Sequence, residues 1–201
     1  MLLDDVDAAC RFVLDETGAE RLHLLGVSWG GKLLAAYVCS RPSRAPASLT
    51  LVAPGIVPRV DVTAGEKAGI ALSLLFRPRR PFDIPLSDVE LFTDNEEMRE
   101  YLRRDPHRLH KATARFLYAS RSLDRMLRRC PRGAIGIPTT LILASRDRII
   151  DNAATRTAVD RLTGGAAAAR VLDGAHTLEF EPEPSAFYEA LSRATDLRPA
   201  S

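Results

Sequence analysis

The stretch from Leu22 to Val38 restricts what this chain can fold into more than any other. It opens as an apolar run, Leu22-His23-Leu24-Leu25, breaks at Gly26-Val27-Ser28-Trp29-Gly30, and resumes at helical spacing through Leu33, Leu34, Ala35, Ala36, Tyr37 and Val38. This pattern reads as strand, sharp turn, helix. A serine at the apex of such a turn takes a strained backbone conformation, tolerable where Gly26 and Gly30 present no Cβ to the opposed strand and helix. Ser28 is therefore the candidate nucleophile. The turn also aims the backbone N–H of Trp29, at the start of the helix, toward the point where negative charge develops on a carbonyl oxygen. Gly-x-Ser-x-Gly alone recurs by chance. The flanking strand and helix, with aspartate and histidine candidates following the serine in that order, set this instance apart.

With 201 residues, 46% of them hydrophobic, and a net charge of +2, the chain can bury a substantial core and carries no global bias toward nucleic acid. Met1-Leu2-Leu3-Asp4-Asp5 lacks the basic and long apolar regions of a secretory signal, and no apolar stretch is long enough to span a bilayer. The expectation is a soluble, cytoplasmic protein without an integral membrane segment. Cys10, Cys39 and Cys130 are widely spaced and form neither Cys-x-x-Cys nor Cys/His ligand patterns, which points to buried free thiols rather than disulfides or zinc.

Val6, Ala9, Cys10, Phe12, Val13 and Leu14 predict a helix over Asp5 to Thr17, stopped by Gly18 before the strand at Leu22. Ser48 to Ala53 predicts a buried parallel strand, closed by Pro54-Gly55. From Gly55 to about Arg132 helical segments replace the strand-helix alternation. Predicted there are a largely buried helix over Lys67 to Phe76, whose run Ala68 to Phe76 reads as core with an acyl-chain pocket wall or lipid-facing surface as the lesser alternative, a charged amphipathic helix over Asp94 to Arg103, and another over Ala112 to Cys130. The arginines of this region read as a solvated helix face, and no aromatic interleaving or nucleic-acid motif accompanies them. His107 and His110 share a helical face at i, i+3, but no carboxylate pattern completes a metal site, so both read as surface residues. His23 reads as structural. Ile137 to Ala144 restores a strand, Ala169 to Leu172 predicts the last one, and Gly164 to Ala168 a loop. His176 follows that last strand at its C-terminal end, where open α/β sheets place their sites, and can act as base to Ser28 and then as acid to a leaving group.

Gly26-Val27-Ser28-Trp29-Gly30, together with Pro85-Leu86-Ser87, Phe92-Thr93-Asp94 and Arg104-Asp105-Pro106, resembles the α/β-hydrolase superfamily, in particular its capped monoglyceride lipases, lysophospholipases and serine-aminopeptidase-like hydrolases. The resemblance runs from Asp4 to Leu191. It implies the later half of an α/β-hydrolase fold, a parallel sheet flanked by helices with an inserted helical cap. The corresponding segments are 1–54 (core with the nucleophile turn), 55–132 (cap) and 133–201 (core with the acid and histidine loops). The superfamily's first four strands and the loop giving its second oxyanion donor have no counterpart before Met1. The family's acid lies just past the strand ending at Ala144, and Asp147 matches it. Asp151 competes, although its place before Asn152 suits a helix cap.

What the resemblance implies is a serine hydrolase of carboxylic esters, monoacylglycerol or lysophospholipid-like, with Ser28, Asp147 and His176 as triad, Trp29 in the oxyanion hole, and neither metal nor cofactor. The competing expectation is a non-catalytic or partner-dependent fragment of the fold. A sheet edge at Leu22 to Val27 without charge or proline to blunt it is also expected to invite self-association.

Overall fold

A computed structural model describes residues 2–42, 46–60 and 63–195. Residues 61–62 of the expected cap and 196–201 of the last expected segment lie outside the described residues. The elements are α1 (Leu2–Thr17), β1 (His23–Val27), α2 (Trp29–Ser40), β2 (Ser48–Val52), α3 (Ala64–Phe76), β3 (Pro81–Asp83), α4 (Glu96–Arg104), β4 (Lys111–Thr113), α5 (Ala114–Arg129), β5 (Thr139–Ala144), α6 (Asn152–Thr163), β6 (Ala168–Leu172) and α7 (Ser185–Thr195).

Four strands form a parallel sheet in the order β1-β2-β5-β6. The alternation of side chains along each strand sorts the core into two layers. Leu49 and Leu51 of β2 with Leu141 and Leu143 of β5 pack against Ala35 and Val38 of α2, Leu123 and Leu127 of α5, and Val159 and Leu162 of α6. Val52, Ile142 and Ala144 point the other way, onto Phe187 and Ala190 of α7 and Leu178. The short apolar runs of β2 and β5 are buried on both faces, as helix-covered parallel strands require.

Local signals account for most element ends. Thr63 and Glu66 form a reciprocal capping box that starts α3 earlier than its apolar run suggests. Asn95, Thr113 and Asp151 each cap the helix that follows, through a side-chain oxygen. Gly164, in the left-handed conformation at φ 69°, closes α6.

Between β2 and β5 the structure departs from the sequence reading in three places. The run Ala68 to Phe76 is not buried: α3 buries only Ile70 and Ser73, and Leu72, Leu75 and Phe76 are 61–77% exposed. An antiparallel pair, β3 with β4, spans this segment unannounced by its composition, because three-residue strands carry too little periodicity to read. His107 and His110 sit in a turn and an extended stretch rather than on a helix, so the i, i+3 face does not exist; both are exposed.

The three cysteines are free and half-buried rather than buried. Burial pushes the Cys39 thiol up to about 12, with the neighbouring Cys130 adding to the shift. β1 pairs with β2 on one side and is an edge of the sheet among the described residues, with Leu25 42% exposed. No helix among the described residues is long and apolar enough to cross a membrane.

Candidate active site

β1 ends at Val27 and α2 begins at Trp29, leaving Ser28 to make the whole reversal at φ 50°, ψ −118°. That backbone conformation is disfavoured for a residue with a Cβ, and the surroundings hold it. Ser28 N donates to Val52 O at 2.9 Å, while Ser28 O accepts from Gly31 N at 3.0 Å and Gly55 N at 2.8 Å. The turn is tight because strand and helix nearly touch. A Cβ on Gly26 would lie 2.8 Å from the carbonyl carbon and oxygen of Gly30 and from Gly31 Cα, and one on Gly31 would lie 2.7 Å from Pro54 Cβ. Gly30 faces open space. The close-approach roles therefore belong to Gly26 and Gly31, not to Gly26 and Gly30 as the motif suggests.

The loops after β5 and β6 bring the other two residues to the serine. His176 Nε2 is 2.8 Å from Ser28 Oγ, and His176 Nδ1 is 2.8 Å from Asp147 Oδ2. Asp147 and His176 are both buried. Asp147 Oδ1 accepts from the backbone N–H groups of Ile149 at 2.8 Å and Ile150 at 2.9 Å, so the loop's own backbone orients the carboxylate. Asp151 stands apart from this relay and caps α6 by accepting from Ala154 N at 2.9 Å. Among the described residues, no acceptor faces the backbone N–H of Trp29 at the first position of α2, a donor that a helix start leaves open.

Ser28 opens onto an apolar cavity of about 600 Å³, lined by Trp29, Ile70, Leu74, Leu86, Phe116 and Ile150 among others. That volume suits a small-molecule ligand. α3 and α5 form its roof. A seam along one face of α5 ties that helix to α2: the Trp29 ring packs on Phe116 at 4.9 Å between centroids, Trp29 Nε1 donates to Ser120 Oγ at 3.0 Å, and Lys32 Nζ lies 2.9 Å from Asp124 Oδ1. Phe116, Ser120 and Asp124 recur every fourth residue, as one face of a helix requires. The side chains of Lys32 and Asp124 are less than 10% exposed, making this a buried ion pair. A sequence profile of the serine aminopeptidase S33 family matches residues 1–183.

The chain belongs to the serine aminopeptidase S33 family.

As a member of it, the protein is an α/β hydrolase, and solved structures agree in fold. The monoacylglycerol lipase of Paleococcus ferrophilus superposes with a TM-score of 0.78 at 17% identity, over 95% of this chain and 74% of that one. A soluble variant of the Saccharomyces cerevisiae monoglyceride lipase, in complex with a substrate analogue, gives 0.78 at 16% identity over 96% and 67%. A thermostable carboxyl esterase of Bacillus coagulans, bound to glycerol, gives 0.74 at 12% identity over 96% and 69%. No curated protein matches the chain significantly in sequence.

Sequence reasoning brought Ser28, Trp29, Asp147 and His176 to one place. It passed over Lys32, Ser120 and Asp124, whose only signal is the apolar helix face of α2 interrupted by a lysine, with a carboxylate at an otherwise buried position of α5. His23 shares a hydrogen bond with Ser48 Oγ at 2.8 Å between β1 and β2, away from the site.

Proposed function

We propose that this S33-family hydrolase cleaves carboxylic esters by way of an acyl-enzyme on Ser28. The observation that carries the reading is the unbroken relay from Ser28 Oγ through His176 to Asp147, each step 2.8 Å, opening onto an apolar cavity. Asp147 accepts from His176 Nδ1–H, which leaves Nε2 as the lone-pair nitrogen facing the serine. Ser28 Oγ attacks the ester carbonyl as its proton passes to Nε2, and the carbonyl electrons move onto an oxygen that the Trp29 N–H stabilises. Collapse expels the alcohol, protonated by His176, and water deprotonated by the same imidazole then releases the acid. The residues of this scheme are Ser28, His176, Asp147 and Trp29, and it calls on no metal or cofactor.

The apolar lining supports an ester with an aliphatic acyl chain. A monoacylglycerol or lysophospholipid-like substrate fits it, and the lipase and esterase neighbours are in keeping with that choice. Residues 55–132 act in this reading as a cap over the cavity, and the site of action is the cytoplasm.

Ser28→Ala tests the core claim. The variant is expected to melt as the parent does, since removing one hydroxyl opens almost no space, and to lose hydrolysis of a p-nitrophenyl ester and labelling by a fluorophosphonate. Ester turnover retained in the purified variant removes Ser28 from the nucleophile role. One observation favours a second reading, in which the chain completes its oxyanion site only with a partner segment: the outer edge of β1, beside the serine turn, is unpaired among the described residues. Folded parent protein that refuses the fluorophosphonate would select that reading.

A further inference from the structure

The acid loop and the histidine loop meet directly, Arg146 N donating to Gly174 O at 2.9 Å and Ser145 Oγ to Asp173 Oδ1 at 2.9 Å, and a further segment braces both from outside. Arg146 and Arg148 flank Asp147 in sequence, and both guanidiniums reach one carboxylate, which Arg99 Nη2 also meets at 3.5 Å, while Arg148 Nη1 donates in addition to Glu90 O at 2.6 Å. Arg146 Nε donates to Asp94 Oδ2 at 2.8 Å and Arg148 Nη2 to Asp94 Oδ1 at 2.7 Å. Asp94 lies in the segment between β3 and α4, remote in sequence from both loops. Arg146 also pairs with Asp173 and, at 3.6 Å, with Glu181, carboxylates on either side of His176 in sequence.

The residues next to Asp94 grip the histidine loop directly. Glu181 Oε1 accepts from the Thr93 hydroxyl at 3.0 Å and from Asp94 N at 3.2 Å, and Thr177 N donates to Phe92 O at 2.8 Å. Thr93 and Glu181 are buried. Phe92-Thr93-Asp94 thus touches both sides of the relay while contributing no atom to it.

Two physical points decide what such an arrangement is for. Ion pairs between partly exposed groups add little to stability, and Asp94, Arg146 and Arg148 are 27%, 44% and 41% exposed. Geometry is another matter, because a misplacement of about 1 Å can cost roughly a hundredfold in rate while the fold barely registers it. Asp147 is especially dependent on its loop, since the backbone of Ile149 and Ile150 aims its carboxylate. Whatever fixes residues 146 and 148 fixes the direction of Asp147.

We propose that Asp94 is a positioning residue for the relay: by bridging Arg146 and Arg148 it locks the acid loop against the histidine loop and keeps Asp147 Oδ2 within hydrogen-bond reach of His176 Nδ1. The proposal rests on the reading of Ser28, His176 and Asp147 as the reacting groups. The Arg146 hydrogen bond, then that of Arg148, holds the Asp94 carboxyl below its ordinary range, so Asp94 is ionised throughout the neutral region.

Asp94→Asn in the full 201-residue chain keeps the size of the side chain and removes its charge. Its kcat on a short p-nitrophenyl ester is expected to fall about tenfold or more with KM within twofold, because Asp94 does not line the cavity. Its melting temperature should stay within about 4 °C of the parent's. Asp94→Glu should recover most of kcat. The downfield proton resonance of His176 Nδ1–H reports the contact without turnover, and is expected to weaken or vanish in Asp94→Asn and to return in Asp94→Glu. A parent that has the resonance and no esterase activity counts against the proposed function alone, leaving Asp94 to be judged by the resonance. Parent-like kcat and an unchanged resonance in Asp94→Asn overturn the proposal. So does a loss of activity fully matched by a loss of titratable active sites, which would mean that Asp94 only keeps the protein folded.

Discussion

Replacing Gly26 by alanine puts a methyl carbon where strand β1 meets helix α2, and the structure allows the effect to be worked out. The new Cβ would lie 2.8 Å from three backbone atoms of Gly30 and Gly31, and strand and helix must separate by about 0.6 Å to reach the 3.4 Å at which ordinary contact begins. Backbone cannot rotate aside as a side chain would. The cost therefore falls at the upper end of the overpacking range, about 3 kcal/mol, or a drop of roughly 6–12 °C in melting temperature for a domain of this size. Ser28 rides on the displaced turn while His176 and Asp147 hang from the loops after β6 and β5, so the 2.8 Å contact at Ser28 Oγ is stretched. A shift of that size should slow ester hydrolysis about tenfold beyond any loss of folded protein. Gly31→Ala meets Pro54 Cβ at 2.7 Å and should behave alike, whereas Gly30→Ala meets nothing within 4 Å and should melt at or slightly above the parent temperature with full activity. Thermal melts with active-site-titrated turnover on the three variants check this. Gly26→Ala indistinguishable from the parent, or Gly30→Ala as damaging as Gly26→Ala, would refute the close-approach argument.

Asp147→Asn should cut turnover by about 10⁴ because it imposes the wrong imidazole tautomer, while Asp151→Asn or Ala costs at most about 1 kcal/mol of helix capping and leaves turnover intact; the opposite ranking in steady-state kinetics would move the acid to Asp151. Lys32→Met should destabilise by about 3 kcal/mol, because buried Asp124 is left with only the half-exposed Arg121 at 3.5 Å, whereas Lys32→Met with Asp124→Leu should cost far less, and additive losses in denaturant titration would show that the two charges are not coupled. The outer edge of β1, unpaired among the described residues, should make the chain self-associate, so a lysine at the exposed Leu25 is expected to lower the sedimentation coefficient; a monodisperse monomer before the substitution would contradict this.

The parts of the fold that were legible in the sequence are those where one local rule governs. β2 and β5 read as buried strands because their apolar runs are continuous, and α1 as a helix because its apolar periodicity and the Gly18 stop agree. α3 misled because its composition is that of a core helix. Only its packing partners reveal that one side faces a cavity and the other solvent. Hydrophobicity states what a helix could bury, not what stands opposite it. The motif misled in the same way at Gly30: the pattern singles out glycines at fixed spacing, but whether a Cβ would collide depends on how α2 leans on β1 and on Pro54, which spacing does not encode.

The site divides along the same line. Ser28, Asp147 and His176 could be read because each lies at the C-terminal end of a strand, where chain direction alone delivers a side chain to the same rim of the sheet. Asp94 was visible only within the Phe92-Thr93-Asp94 resemblance, and its contacts to the acid loop were not, because no periodicity relates it to Arg146 and Arg148, and the charges of all three, with Arg99 beside them, suggest on their own a solvated surface. The same holds for Lys32 and Asp124, joined only once α5 has folded back over α2. The proposed reacting groups are thus written locally, one per loop, whereas the contacts that set their mutual distances are pairings between segments far apart in sequence. On the proposed reading, a variant that keeps Ser28, Asp147 and His176 is expected to fail as a catalyst if it displaces the turn through Gly31 or the acid loop through Asp94.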